Sequence, residues 1–135
     1  MAVLVLTDAS ITVNSVALSD HANSVTLNYE IDSVETTAFG STGHKFTGGL
    51  QNNSLDIEFL QDFAASNVEA TIFSLVGTTT TVVIKPTSAA VGASNPSYTL
   101  TGCFLAAHTP VAAAVGELAM TSLSFTGGVL TKAVS

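Results

Sequence analysis

Ser24-Val25-Thr26-Leu27-Asn28-Tyr29-Glu30-Ile31 places an apolar side chain at every second position, and Ser54-Leu55-Asp56-Ile57-Glu58-Phe59 repeats the pattern. Successive side chains of a strand face opposite sides, so each stretch predicts a strand with one buried and one polar face. Alternation this clean argues for antiparallel sheet with an open face. Strands of a parallel sheet are covered on both sides and read as continuous apolar runs.

Working outward, the period of two persists. Val3 to Leu6 predicts a short strand apolar on both faces, and Ile11-Thr12-Val13, Asn14-Ser15 and Val16-Ala17-Leu18 read as a hairpin. Val34 to Phe39 is β-rich with loose alternation. Gly40-Ser41-Thr42-Gly43-His44-Lys45 reads as a loop or hairpin tip, and Gly48-Gly49 as a second break. Thr78 to Lys85 is dense in β-branched residues and ends at Pro86. Residues 87–97 lack a period and read as a loop, and Tyr98 to Leu105 is strand again. Val111 to Val115, bracketed by Pro110 and Gly116, reads as loop or strand edge. Ala119 to Phe125 alternates, and Gly127-Gly128 signals a hairpin turn before Val129.

One segment changes period. Val68, Ile72 and Leu75 fall on one helical stripe, and Gly77 stands where a helix would stop. Ser66 and Glu69 have the spacing of a capping box, so a short helix is predicted over about residues 66–75. So short a helix must lie on a sheet. The expected fold is mainly β: an antiparallel β-sandwich or flattened barrel with one short α-helix. Residues 1–135 read as a single domain with an extended loop at 40–50.

Composition narrows the function. The chain has 135 residues, with 3 Lys plus Arg against 10 Asp plus Glu, a formal charge of −7. A protein that grips phosphates needs a basic footprint, and this one is acidic. No polybasic patch suggests membrane attachment, and the apolar start at Met1 to Leu6 is too short for a signal core or a span. Charged residues make up 10%, below the roughly 25–35% of an independent soluble surface. The surface is therefore dressed in Thr, Ser, Asn and Gly, or covered by other subunits.

The chemical inventory is thin. Cys103 is the single cysteine and reads as a small core hydrophobe rather than a nucleophile paired with His108. His21, His44 and His108 lack zinc-like spacing, so no metal or cofactor is expected. Asp56 and Glu58 share a strand face, as paired carboxylates of a glycosidase could. Sugar sites usually add aromatic platforms, and the chain has no Trp. The glycines lack the lysine-serine ending of a phosphate loop. No catalytic residue is assigned.

The segments Thr37-Ala38-Phe39-Gly40, His44-Lys45-Phe46 and Gly49-Leu50, followed by Ser54 to Phe59 and Gln61-Asp62-Phe63, resemble the tail tube proteins of long-tailed bacteriophages. Asn95-Pro96-Ser97-Tyr98 and Ala114 to Ala119 are similar to the same group. The resemblance implies a β-sandwich with one flanking helix whose copies form hexameric rings stacked into a tube. Sheets of neighbours join around a channel through which the genome passes without specific binding. It further implies self-association, contact with tape measure, terminator and baseplate or tip proteins, and a place in the virion after assembly in the bacterial cytoplasm. Acids on an outward strand face would repel DNA phosphates, so Asp56 and Glu58 are the candidate channel lining, with Glu30 beside Asn28 and Thr26 as the alternative. Gly40, Gly43, His44, Lys45 and Phe46 are the candidate inter-subunit loop. Other readings are a tail terminator, a head–tail stopper, a capsid decoration protein or a carbohydrate-binding β-sandwich module.

Overall fold

The computed structural model describes residues 5–64 and 67–135. Its strands are β1 (Ser10–Val13), β2 (Val16–Ala17), β3 (Ala22–Asn28), β4 (Ile31–Glu35) and β5 (Phe46–Gln51), then β6 (Ser54–Leu60). Helix α1 (Val68–Ile72) follows, then β7 (Thr79–Lys85), β8 (Ser97–Leu105), β9 (Met120–Thr126) and β10 (Val129–Ala133). One sheet runs β2-β1-β7-β8-β9-β6-β3, with β10 also on β8, and β4 and β5 form a separate ribbon. All pairs of these strands are antiparallel.

The predicted periodicity explains the shape. Ile11 and Val13, Val82 and Ile84, Leu100 and Leu105, Leu123 and Phe125, and Leu55, Ile57 and Phe59 all point into one buried cluster. A sheet whose strands share one core must curl around it, and here its edge strands β2 and β3 are not paired to each other. Burial of each such side chain contributes about 1.5–3 kcal/mol. Val68, Ile72 and Leu75 close one opening, and all three are buried.

The β1–β2 hairpin turns at Asn14 and Ser15, both at positive φ (49° and 68°). Two central residues in that region are what a tight hairpin demands, and Asn tolerates it best after Gly.

Several sequence expectations are corrected. The strand expected through Ile31 stops at Asn28, which pairs with Ser54, the first residue of β6. The ladder is interrupted there: the Glu30 amide donates to Asn53 Oδ1 at 3.2 Å, the Glu30 carbonyl accepts the Asn52 amide at 2.7 Å, and pairing resumes with Ile31 opposite Gln51 in the β4–β5 ribbon. Tyr29 lies in this interruption and Ile31 on the ribbon outside the core, so both are exposed rather than buried. The strand expected from Val34 to Phe39 is β4, which ends at Glu35. Gly48 and Gly49 lie inside β5, where they let Ile31 and Val34 of β4 lie across the ribbon. The extended loop is consequently shorter than 40–50, and Phe46 begins a strand. Val5 and Leu6 lie outside any strand, and the rest of that expected strand falls outside the described residues.

Helix α1 spans five residues and continues as a 3₁₀ turn, Phe73–Leu75. Ser66 lies outside the described residues, and the Glu69 amide donates to the Asp62 carbonyl at 3.0 Å. Gly77 does stop the helix, at φ 82°.

Gly127-Gly128 is not a hairpin turn. Thr126 lies opposite Phe104 and Val129 opposite Thr101, so β9 and β10 continue along β8 in one unbroken register. The glycines bend this line where it leaves β6, and the Gly127 amide donates to the Asn53 carbonyl there (3.0 Å). A Cβ on Gly128 would stand 2.7 Å from the Thr101 carbonyl oxygen. The close approach and the φ of 84° both require glycine.

Candidate assembly surfaces

The polar face of β3, β6 and β9 gathers the predicted acids. Asp56 sits between Thr26 and Ser124, and Glu58 between Ser24 and Ser122. Cross-strand partners share a face, so this surface is hydroxyl and carboxylate, with Asp56 exposed and Glu58 half-buried. Thr26 and Asn28, assigned by sequence to an alternative lining, lie on this same face. Glu30 stands just past it, within 3.5 Å of the Asn28 amide. The two candidate linings are thus one acidic surface.

The β4–β5 ribbon forms an arm. Every residue of β4 is exposed, and β5 is exposed from Phe46 to Leu50. Ile31, Val34, Phe39, Phe46 and Leu50 present large apolar side chains to solvent. A lone two-stranded ribbon is marginally stable in water. Here the Glu35 carboxylate organises the tip, accepting from Thr37 Oγ1 at 2.9 Å and meeting His44 Nδ1 at 2.6 Å. These bonds, His44 foremost, hold Glu35 below the usual carboxylate range. The Lys45 amide donates to Thr37 Oγ1, and Gly40 turns the tip at φ 91°. Gly40, Gly43, His44, Lys45 and Phe46 are therefore brought together at the far end and outer strand of the arm.

The arm's root is fixed by residues that the sequence did not single out. Buried Asn53 donates from Nδ2 to Gln51 Oε1 at 2.8 Å and to the Gly128 carbonyl at 3.2 Å. Gln51 Oε1 also accepts the Leu130 amide at 3.0 Å. The arm is thereby locked to β6 and to the bend before β10. An Asn-Asn step beside a strand signals only a turn, and its long-range partners are invisible locally.

His21 makes a second link that sequence reading missed. Its Nε2 is 2.7 Å from Asp62 and its Nδ1 is 2.8 Å from Asp20. The imidazole is 19% exposed and ties the turn before β3 to the segment before α1. The Asp62 bond, more than the burial opposing it, raises the His21 pKa above 6.5. Asp62 is held below its usual value by the Ala64 amide and by His21.

The residues weighed for chemistry are not assembled. Cys103 is fully buried with Sγ 3.3 Å from the Thr80 carbonyl oxygen, and burial pushes its thiol up. His108 meets Thr121 Oγ1 at 3.2 Å, and burial lowers its pKa. Among the described residues no three His, Cys, Asp or Glu side chains are grouped to hold a metal. No helix there is long and apolar enough to cross a membrane.

The architecture is shared with solved structures of assembled particles. The chain is similar to the sheath/tube terminator of the PVC extracellular contractile injection system in its extended state. The match covers 98% of this chain and 97% of that one, at a TM-score of 0.72 and 13% identity. It is similar to the tube-terminating cap of the anti-feeding prophage, with TM-score 0.68, 14% identity, and coverage of 100% and 95%. It is also similar to a chain in the virion of a native gene transfer agent particle, with TM-score 0.60, 12% identity, and coverage of 93% and 95%. No family profile matches the chain, and no characterised protein matches it by sequence.

Proposed function

We propose that this protein is a ring-forming structural subunit of a phage-tail-like particle, a wall component and not an enzyme. The observation that carries the reading is the arm. It exposes five large apolar side chains, and Asn53 ties its root to the bend before β10. Such a surface calls for a partner, and the end-to-end fold shared with tail and injection-system chains supports a neighbour in a ring. The sparse charge agrees, since ring contacts would cover surface that an independent protein must keep polar.

The repeated tube subunit is the first form of this reading. Rings stack around a channel, β3, β6 and β9 turn Asp56 and Glu58 toward it, and the acids repel passing DNA phosphates so that nothing binds. The other contacts are then further tail proteins, such as tape measure, terminator and baseplate, in a virion assembled in the bacterial cytoplasm. A tube terminator is the second form, favoured by the two terminator and cap likenesses.

Negative-stain microscopy of the purified protein separates them. Hollow, evenly striated tubes support the tube subunit, and single rings that do not stack support the terminator. Monomers under all conditions overturn both. Deleting residues 41–47 should leave a folded monomer that forms no rings. In an assembled particle, Asp56→Lys with Glu58→Lys should preserve assembly but slow DNA exit, and unchanged exit kinetics would refute the lining.

A further inference from the structure

We propose that the arm of a neighbouring copy seats in the open cleft between β3 and the β7–β8–β10 side of the sheet. This rests on the ring-forming reading and names the contact that builds the ring. The cleft is a groove of about 540 Å³. Val25, Leu27 and Tyr29 form one wall, and Ile84, Tyr98 and Leu130 the other. Val25, Leu27 and Leu130 pack against the core yet are only partly buried, so the core face is left uncovered here. Leu6 and Ala9 of the same chain also line the groove, yet among the described residues they leave it open.

The arm matches the cleft in chemistry. Phe46 and Ile31 lie on one side of the ribbon, where Glu35 is opposite Phe46 and Gly48 leaves room beside Ile31. The charges are complementary. Lys85 borders the cleft and donates only to the Ala89 carbonyl (3.0 Å), and Lys132 stands opposite Tyr98. The arm carries Asp32 and Glu35, and Asp32 has no ion-pair partner among the described residues. The arm also carries Lys45, and Asp8, which accepts from Ser88, borders the cleft. Asp32 and Glu35 outnumber the one and Lys85 and Lys132 the other, so arm and cleft attract, and like charges would repel a wrong register.

Connectivity completes the case. Tyr29 lines the cleft and Ile31 begins the arm, so each arm leaves from the rim of its own cleft. The arm's apolar side chains nonetheless stay exposed within the chain. An arm leaving one cleft and entering the next is a head-to-tail contact, which closes into a ring when the rotation permits.

Cysteine cross-linking tests this in a Cys103→Ala background. Phe46→Cys on the arm and Tyr29→Cys on the cleft rim are both exposed positions. Under mild oxidation of assembled protein, the double variant should give a covalent ladder beyond the dimer, while either single variant stops at dimers. Rings seen by microscopy without that ladder overturn the cleft assignment and leave the ring reading standing. Cross-links confined within one chain overturn it equally. Failure of the unmodified protein to form rings defeats the underlying reading instead. If the cysteine variant does not fold, Lys85→Glu serves. It should raise the concentration needed for assembly by about tenfold, as loss of one strong contact does, and unchanged assembly overturns the proposal.

Discussion

Replacing Gly128 by Ala tests the bend that carries β9 into β10. The added Cβ would lie 2.7 Å from the Thr101 carbonyl oxygen and 3.0 Å from the Cys103 nitrogen. Both are backbone atoms of β8, which is paired on both sides, so neither can move without breaking ladder bonds. Two costs add. A left-handed backbone costs a non-glycine residue about 1–2 kcal/mol, and overpacking against a fixed neighbour costs about 1–3 kcal/mol. Gly127 is the internal control, because it shares the left-handed φ (76°) but has open space around its Cβ position. Gly127→Ala should therefore pay the conformational cost alone, about 1–2 kcal/mol. The difference, about 2 kcal/mol, corresponds to about 1 M in urea midpoint for a slope near 2 kcal/mol/M. Equilibrium urea unfolding followed by far-ultraviolet circular dichroism reads both variants. Equal midpoints for the two would refute the close-approach argument and mean that only the backbone angle matters.

Three further outcomes follow from the same geometry. His21 has a raised pKa, so its charged pair with Asp62 contributes stability that is fully present below pH 6.5 and is lost as pH rises through the raised value. Asp62 is lowered, so its contribution is present above 3.8 and is lost as pH falls through its depressed value. His21→Gln should thus lose most relative to wild type in mildly acidic solution and least in alkaline solution. A stability gap that does not vary from pH 5 to 9 would sink that account. Asn53→Ala leaves the Glu30 amide and Gly128 carbonyl short of a partner, at about 1–3 kcal/mol, and hydrogen exchange at Glu30 should speed up. Phe125→Ala, in the centre of the core, should cost about 3–5 kcal/mol in the same urea assay.

Local alternation was enough to find β6 and β9 and to say which side of each is buried, because that pattern depends only on strand geometry, while β7 was legible as a strand from its β-branched content without its buried side. Asp56 and Glu58 were legible as outward acids for the same reason. Strand ends were less legible. The alternation of Val25 to Ile31 continues past Asn28, but the ladder is interrupted at Tyr29 and Glu30, where Asn52 and Asn53 take up the Glu30 backbone, and it resumes outside the core at Ile31 opposite Gln51. Glycine was ambiguous in kind: Gly48-Gly49 reads as a break and Gly127-Gly128 as a turn. In the fold the first pair makes room for side chains of β4 and the second lets β10 approach β8.

By itself the sequence settled the class of the fold, the absence of a basic footprint and the polar identity of the β3–β6–β9 face. Composition and period are properties of neighbours along the chain. Only the tertiary structure decided that Glu30 and Asp56 border one surface, that His21 meets Asp62 across 41 positions, that Asn53 aims the arm and that, among the described residues, an apolar cleft is left open beside β3. Each of those depends on which distant strands pair, and pairing is fixed by burying one shared core rather than by any residue's immediate context.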